Sequence, residues 1–293
     1  MNDNDFPWKV SRVIVPFLVY FLITIIVQVI VGSVLMFDEL KSIRDAGYDT
    51  TFYLMDNLDA VIKENAVLMT LITSFVMIFV SYIMMYTDKL YRDIEPFNFS
   101  GYGTLCILGI TGALGISRLV GILPLDNIIG SYAETQSLIS RSPIPVQILT
   151  LVFVTPIMEE LFFRGVIYNR IKKYSDVIWA SILTSLLFGI YHMNLVQGVY
   201  AFIMGILMCA AYYRHKSILA PMFLHICANG TAFIMSINPV SKAISRSLLT
   251  NIPVMLLEMG IFTICVLYFF GVFEKKENVQ EQKGSESDEY KDI

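Results

Sequence analysis

The stretch VTPIMEELFFRG, residues 154–165, places two adjacent glutamates and an arginine inside an apolar run. The preceding residues 146–154, VQILTLVFV, are almost entirely apolar, and the letters LFF lead directly into Arg164. Ionisable side chains at bilayer depth cost about 2.5–3.5 kcal/mol each on insertion scales, so they are rare and usually mark function. The stretch therefore indicates a membrane helix that carries a polar site.

The composition of the whole chain supports a membrane protein. Of 293 residues, 56% are hydrophobic and only 16% are charged, and the mean hydropathy is +0.64. A soluble domain is roughly a quarter charged, whereas a run of about 20 apolar residues crosses a bilayer as a helix. We predict an all-α, polytopic helix bundle of about eight transmembrane helices. The predicted spans are 13–36, 66–86, 103–123, 146–163, 177–192, 197–213, 218–236 and 252–272, of which the third and fifth are short or interrupted, so that a count of seven stays open.

The first apolar run and the loop charges predict the orientation. The run Val13–Phe37 is too long for a signal-peptide core and no small-x-small cleavage site follows it, so we expect a retained helix. With the N-terminus inside, the inner segments hold most of the positive charge, which predicts a multi-pass cell-membrane protein with both termini cytoplasmic. The inner positive residues are Lys9, Arg12, Lys89, Arg92, Arg170, Lys172, Lys173, Arg214, Lys216, Lys275 and Lys276.

Three regions are expected along the chain. Residues 1–140 would hold the N-terminal transmembrane helices and an outer loop at 38–65 with a short surface helix, and residues 141–240 the polar core. Residues 241–293 would hold the last transmembrane helix and a charged, disordered cytoplasmic tail from Glu274 to Ile293. The partners expected from this layout are the lipid bilayer and no nucleic acid.

Ionisable and amide side chains occur in three apolar segments. Glu159 and Glu160 precede Arg164, Phe188 precedes His192, and His225 precedes Asn229, each of the last two pairs four residues apart. On a helix, positions i and i+4 share a face, so Glu160 can pair with Arg164 and His225 can lie beside Asn229. Glu159 points about 100° away from Glu160 and can face a cavity.

Two prolines precede the polar groups. Pro156 stands just before the glutamates and Pro221 just before His225. Proline suits the first turn of a helix. If Thr155-Pro156 begins a helical segment, the glutamates lie near its positive end, which favours carboxylates.

Structural explanations exist for each group taken alone. Glu160 with Arg164 can be a structural clamp, and a single membrane histidine is often a hydrogen-bonding group between helices. The joint occurrence of all these groups on three segments favours a site.

The cysteines form no C-x-x-C pair, so neither zinc nor a disulfide framework is indicated, and we expect free thiols packed as small apolar groups. They are Cys106, Cys209, Cys227 and Cys265.

The ordered motifs E-E-x-x-x-R, F-x-x-x-H and H-x-x-x-N resemble those of the CPBP family. This family contains the type II CAAX prenyl endopeptidases and their bacterial relatives, often called Abi or bacteriocin-processing proteins. The resemblance covers residues 145–235 and fills every motif position. It implies an all-helical membrane bundle around a polar cavity and an intramembrane endopeptidase that cleaves a peptide or a membrane-protein substrate.

The resemblance also implies roles for the matched residues. Glu159 and His192 would activate a water, His225 and Asn229 would stabilise the oxyanion, and Glu160 with Arg164 would orient the site. No cofactor is expected to be required, although Glu159, His192 and His225 could hold a divalent metal such as zinc.

The residue chemistry agrees with a protease. Amide hydrolysis needs a base for water and donors aimed at the oxyanion, and a carboxylate removed from water is a stronger base. The zinc motif H-E-x-x-H, a rhomboid G-x-S-G and a pair of membrane aspartates are absent from the sequence.

Two other function classes stay open. One is a non-catalytic scaffold that regulates a sensor kinase or bacteriocin immunity, and the other is a proton-coupled transporter, which the lack of an internal repeat disfavours.

Overall fold

The computed structural model describes residues 6–90, 101–122, 132–245 and 247–271. The predicted tail from Glu274 and the predicted inner charges Arg92, Lys275 and Lys276 lie outside these residues. The described chain is helical, and its helices are α1 (Phe6–Leu35), α2 (Phe37–Asp45), α3 (Thr50–Glu64), α4 (Ala66–Thr87), α5 (Tyr102–Ile122), α6 (Tyr132–Ser140), α7 (Ile144–Lys172), α8 (Val177–Tyr191), α9 (Leu195–His215), α10 (Leu219–Ile237), α11 (Pro239–Ser245) and α12 (Leu248–Phe269).

Seven of these helices are long and apolar enough to cross a membrane, namely α1, α4, α5, α7, α9, α10 and α12. The eighth apolar helix, α8, has 15 residues, which is roughly 22 Å at 1.5 Å per residue and shorter than a hydrocarbon core of about 30 Å. Large apolar side chains on α1 and α12, such as Leu18 and Leu249, are exposed, as lipid-facing positions are. The predicted all-α membrane bundle is confirmed.

The outer segment predicted at 38–65 contains two helices rather than one. α2 is followed by α3, and Asp49 caps α3 by accepting a hydrogen bond from the Thr51 backbone N–H at 2.7 Å. Aspartate is favoured at this position because it satisfies an otherwise unpaired helix N–H. The turn between the helices contains Gly47, whose φ of +83° suits glycine.

Thr155-Pro156 does not begin a separate helix, so the condition that would place the glutamates at a positive helix end is not met. α7 runs without a break from Ile144 to Lys172, so its span is longer than the predicted 146–163 and Pro156 lies in its middle. Two π-helical stretches, Ile148–Val154 and Leu161–Tyr168, flank the α-helical turn Thr155–Glu160. The glutamates therefore do not lie at the positive end of a helix. Pro221, by contrast, lies in the first turn of α10 as predicted.

Close helix packing places α10 and α8 around α7. Gly109 of α5 faces α10 so closely that a Cβ there would lie 2.5 Å from the Leu224 carbonyl oxygen. Gly189 of α8 meets Gly198 of α9, where a Cβ would lie 2.7 Å from the Gly198 carbonyl oxygen. Small residues allow membrane helices to approach to backbone contact. These contacts fix the helices that carry the second and third motifs.

A charged cluster joins α1, α4 and α7 at one end of the bundle. The Asp88 carboxylate, just after α4, accepts from Arg170 Nε at 2.7 Å and pairs with Arg12. Arg170 also donates to the Arg12 carbonyl at 2.6 Å. Burial raises the pKa of Asp88, but the hydrogen bonds from Arg12 and Arg170 outweigh burial and hold this pKa below its ordinary value of 3.8. Three predicted inner segments thus meet at one carboxylate.

We expect Asp88→Asn to lower the stability of the protein in detergent by about 1–3 kcal/mol, because it removes a charged hydrogen-bond acceptor from two arginines. The measurement is thermal unfolding at neutral pH. The folded-state pKa of Asp88 is lower than its ordinary value of 3.8. The stabilisation is therefore fully present above pH 3.8 and is lost as the pH falls through the folded-state pKa. Wild type and variant should therefore converge in acid.

The matched control is Asp59→Asn, which removes the exposed Asp59–Lys63 pair of α3. Exposed pairs contribute about 0–1 kcal/mol, so its melting temperature should stay close to that of wild type. Equal losses in Asp88→Asn and Asp59→Asn would show that the cluster does not hold the three helices together.

Candidate active site

Glu159, Glu160 and Arg164 lie where α7 changes from its central α-helical turn to the second π-helical stretch. π-Helical turns are rare and are frequently found at functional sites. Glu159 is 5% exposed, whereas Glu160 and Arg164 are 0% exposed. The first motif is therefore fully inside the bundle.

Glu160 and Arg164 form the ion pair that their spacing predicts. Arg164 Nη1 donates to Glu160 Oε1 at 2.8 Å, and Arg164 Nη2 donates to the Gly205 carbonyl of α9 at 3.0 Å. Removing two charges from water is costly unless good geometry and further hydrogen bonds compensate. The backbone contact to α9 gives the guanidinium that further bond.

The His225 imidazole lies between the two glutamates. Its Nδ1 is 2.8 Å from Glu160 Oε1, and its Nε2 is 3.6 Å from Glu159 Oε2. A carboxylate only accepts hydrogen bonds, so the short contact requires a hydrogen on Nδ1. Nε2 then faces Glu159. Without a hydrogen, Nε2 and the Glu159 oxygen are both acceptors, so a proton on one of them or a bridging donor is needed to stabilise this contact.

The second motif reaches the site through the Phe188 ring. This ring is 2% exposed and makes edge contacts with His192 at 4.9 Å and His225 at 5.8 Å between centroids. The Arg164 guanidinium lies 4.8 Å from the same ring, a cation–π distance. Phe188 thus packs against members of all three motifs.

His192 ends α8 with a defined ring orientation. Its Nδ1 is 2.8 Å from the Phe188 carbonyl oxygen, which accepts a hydrogen from Nδ1 and leaves Nε2 as the free nitrogen. Met193 then adopts a positive φ of 52°, and Asn194 caps α9 by accepting from the Gln197 N–H at 3.1 Å. The sharp turn holds His192 at the rim of the cluster, half-buried.

Asn229 fills a gap in the hydrogen bonds of α7. Its Nδ2 donates to the Leu151 carbonyl at 2.9 Å. In the π-helical stretch the Thr155 N–H bonds to Thr150 O, five residues back. By the same pattern Leu151 would accept from residue 156, which is proline and has no N–H. The amide of Asn229 therefore replaces the donor that Pro156 lacks.

α1 contributes to the site, which the sequence motifs did not indicate. The Tyr191 hydroxyl donates to the Tyr20 hydroxyl at 2.7 Å, and both groups interact electrostatically with Glu159. Phe17 packs edge-on against Phe162 at 5.2 Å. Tyr191 precedes the motif histidine directly and could have been noticed, whereas no local pattern marks Tyr20 in an apolar run.

The third histidine, His215, lies outside the site. It ends α9, packs against Tyr102 of α5 and stacks on Phe269 of α12. In the sequence it stands between Arg214 and Lys216 rather than in one of the three motifs. Of the predicted site residues, Glu159, Glu160, Arg164 and His225 form one connected cluster. His192 is joined to it by Phe188, and Asn229 supports it through Leu151 O.

The described residues do not fit a resident metal ion. Glu159 and His225 approach each other to 3.6 Å, but His225 Nδ1 is already bonded to Glu160. Within residues 6–90, 101–122, 132–245 and 247–271, no three His, Cys, Asp or Glu side chains converge as metal ligands do. Zinc sites normally have three or four protein ligands.

We expect Glu160→Gln to destabilise the protein by about 3–5 kcal/mol, because Arg164 keeps a buried charge whose partner has become neutral. The neighbouring Glu159→Gln is the matched control, since the Glu159 carboxylate lies 3.6 Å from His225 Nε2, beyond hydrogen-bond distance. It should change stability by less than about 1 kcal/mol. Thermal unfolding in detergent measures both, and equal stability of the two variants would contradict a clamp role for Glu160.

The Pro156–Asn229 arrangement predicts a rescue. Asn229→Ala should cost about 1–3 kcal/mol, because it leaves the Leu151 carbonyl without its donor. Pro156→Ala restores a backbone N–H at the position that faces this carbonyl, so the double variant should recover most of the loss. A double-mutant cycle of melting temperatures measures the coupling, expected at about 1 kcal/mol or more. Additive effects would show that the two residues act independently.

Comparison with known proteins identifies the segment that holds the motifs. Residues 141–231 match the family model described as type II CAAX prenyl endopeptidase Rce1-like. The chain is 32% identical over 103 residues to the putative membrane peptidase YdiL of Bacillus subtilis, which covers 35% of this chain and 42% of YdiL. It is 26% identical over 155 residues to the membrane-embedded CAAX protease MroQ of Staphylococcus aureus, which covers 50% of this chain and 61% of MroQ.

An uncharacterised 24.3 kDa protein of Escherichia coli is 31% identical over 136 residues, which covers 42% of this chain and 63% of that protein. The matches thus span between 42% and 63% of the length of these relatives. No solved structure matches the chain significantly. The Rce1-like segment contains every motif residue from Glu159 to Asn229, so the family model confirms the resemblance of residues 141–231 to the CPBP family.

Proposed function

We propose that this protein is an intramembrane endopeptidase in which Glu159 activates a water for attack on a peptide bond. The observation that carries the proposal is the position of the His225 ring, bonded to Glu160 at 2.8 Å and 3.6 Å from Glu159. A purely structural histidine needs one such partner, whereas this ring keeps its second nitrogen directed at a buried carboxylate. The family match at residues 141–231 supports the same reaction class.

Charge balance in the site supports a shared proton. Two carboxylates and one guanidinium are buried together within the cluster. Buried charge is tolerated when it is paired, so one further proton on His225 or Glu159 makes the cluster neutral. With this proton on His225, Glu159 is an ionised base and Nε2–H is a donor. Glu159 then acts as the base and His225 as the hydrogen-bond donor in acyl transfer.

The reaction follows from these positions. Glu159 takes a proton from the attacking water, and the His225 Nε2–H stabilises the oxyanion that forms on the scissile carbonyl. Glu160 holds His225 from the opposite nitrogen, and Arg164 balances the charge of Glu160. Glu159 finally returns a proton to the leaving amine. Each group either moves a proton or keeps its neighbour in the required orientation.

The remaining motif residues fit supporting roles. His192 has its Nδ1 occupied by the Phe188 carbonyl, so Nε2 is the nitrogen that can accept a hydrogen from the same water. Asn229 uses one hydrogen of its amide on Leu151 O, and the second hydrogen is the one available to an oxyanion. Asn229 thus shapes α7 as well as contributing a donor.

Substrate and orientation are part of the proposal. The substrate is a peptide or a membrane-associated protein segment, reached from within the bilayer, and the motifs do not require it to be prenylated. The cationic end of the bundle around Asp88 faces the cytoplasm, with both termini on that side, as the positive-inside distribution predicts. A regulatory membrane partner remains the alternative if the protein does not cleave.

We expect purified wild-type protein in nanodiscs to cleave members of a diverse peptide set that includes prenylated peptides, with products identified by mass spectrometry. Glu159→Gln and His192→Ala should lower the rate by about 10²–10⁴-fold, because each removes a group that handles the attacking water. Both variants should retain the wild-type melting temperature. A parallel reaction with a chelator should proceed at the wild-type rate.

The control variant is Tyr48→Phe, which changes an exposed side chain in the outer segment and should leave cleavage unaltered. Loss of cleavage with chelator would overturn the metal-free mechanism while keeping the protease. If no form cleaves and Glu159→Gln still supports function in cells, the protein is a scaffold and the enzymatic proposal fails.

A further inference from the structure

Two cysteine thiols meet between α5 and α10. The sulfur of Cys227 lies 3.4 Å from the sulfur of Cys106, although the residues are 121 positions apart in the chain. All four cysteines are free thiols, as the sequence predicts. Cys209 instead lies against Ser185, with 3.9 Å between its sulfur and the hydroxyl oxygen. The Cys106–Cys227 contact plays no part in the proposed hydrolysis.

The contact follows from the packing of α5 on α10. At Gly109, one turn after Cys106, an added Cβ would lie 2.5 Å from the Leu224 carbonyl oxygen and 2.9 Å from the Cys227 Cβ. Glycine therefore lets the two helices approach until the cysteine side chains touch. Packed helix backbones of this kind hold the two sulfurs in register, which gives each thiol a high local concentration of the other.

We propose that Cys106 and Cys227 form a redox modification site, which a peroxide converts into an intramembrane disulfide. One thiol attacks the O–O bond of the peroxide to give a sulfenic acid and water. The second sulfur then attacks the sulfenic sulfur, forms the S–S bond and releases a second water. Two thiols and one hydrogen peroxide thus give one disulfide and two waters, with two electrons passing from sulfur to oxygen.

The same geometry makes the site selective and reversible. Cys106 and Cys227 are partly exposed, whereas Cys209 is fully buried. A small uncharged oxidant can reach the first pair, and Cys106 lies near the start of α5. A low-molecular-weight thiol restores both cysteines by exchange and becomes a disulfide itself. The dithiol is the form expected under reducing conditions.

Disulfide formation affects the helix that carries the third motif. Cys227 is two residues from His225 on α10, and an S–S bond of about 2.04 Å requires the sulfurs to move together from 3.4 Å. His225 must keep its 2.8 Å contact with Glu160 to work, and a displacement of about 1 Å in a site can cost 10²-fold in rate. This step rests on the proposed function, and it makes the oxidised form the less active one.

The first test detects the bond itself and needs no activity. Full-length protein in nanodiscs is treated with hydrogen peroxide, alkylated, digested without reduction and analysed by mass spectrometry. We expect a Cys106–Cys227 peptide pair that disappears after reduction and in Cys106→Ser, and that persists in the control Cys265→Ser. Absence of this pair in oxidised wild type, or equal linkage of Cys227 to Cys265, would overturn the proposal.

A second pair of variants tests the geometry with both thiols present. Gly109→Ala introduces a methyl group against α10 and should lower the yield of the cross-link at least several-fold. Gly103→Ala on the same helix meets nothing within 4 Å and should cross-link like wild type. An unchanged yield in Gly109→Ala would mean that the helix contact does not bring the thiols together.

The regulatory step is tested by activity. Cleavage by wild type should fall at least tenfold after peroxide and recover with a thiol reductant, whereas Cys106→Ser should be insensitive. Oxidised methionines are not restored by simple thiols, so recovery identifies the disulfide. Full cross-linking with unchanged cleavage would overturn the regulatory step. Failure of the proposed function gives a different result from failure of the regulatory step. In that case unoxidised wild type is inactive while the cross-link still forms.

Discussion

The buried contact of Glu160 with Arg164 and His225 is the constraint on which the polar core depends. Glu160 Oε1 accepts from Arg164 and from His225, both at 2.8 Å, inside a region that excludes water. A lone carboxylate in such surroundings is strongly disfavoured, so each partner is needed to keep the other charged. The guanidinium in turn reaches Gly205 on α9 and the Phe188 ring on α8. One anion therefore joins four helices, whereas Glu159 makes no ion pair of comparable length within the described residues.

The irregular backbone of α7 serves the same cluster. Pro156 in the middle of a regular α-helix would break a hydrogen bond and clash with the preceding turn. The wider π-helical turns accommodate its ring, and Asn229 supplies the missing donor to Leu151 O at 2.9 Å. Irregular backbone at membrane depth is tolerated only where protein or water satisfies its polar groups. The asparagine that follows His225 by one turn thus ties α10 to the distorted part of α7.

Local spacing predicted the contacts that form within one helix. Glu160 and Arg164 are four apart on α7 and do pair, because helical geometry alone brings them together. The contact of His225 with Glu160 joins positions 65 apart, and only tertiary packing fixes it. The motif order indicated that these residues share a site but did not specify the atoms in contact. The sequence left open whether Pro156 begins a helix, because proline is common in a first turn and a π-helical stretch before it leaves no local signal.

Tyr20 shows why the N-terminal part of the site was invisible in the sequence. It lies in an apolar span with the composition of any lipid-facing helix, and its role appears only when α1 packs beside Tyr191 at 2.7 Å between hydroxyl oxygens. Sequence patterns report periodicity and charge, and a single tyrosine in a membrane helix changes neither. The same limit applies to Cys106 and Cys227, which look like separate apolar positions until α5 meets α10.

The matched segment is therefore not a self-sufficient unit in this protein. Arg170, within residues 141–231, is held by Asp88 and by the Arg12 carbonyl, both outside that segment. α10 depends on Gly109 of α5 for its position, and Tyr191 of α8 donates a hydrogen bond to Tyr20 of α1. The buried charges of the cluster come from the matched segment, and the surrounding helices set their positions.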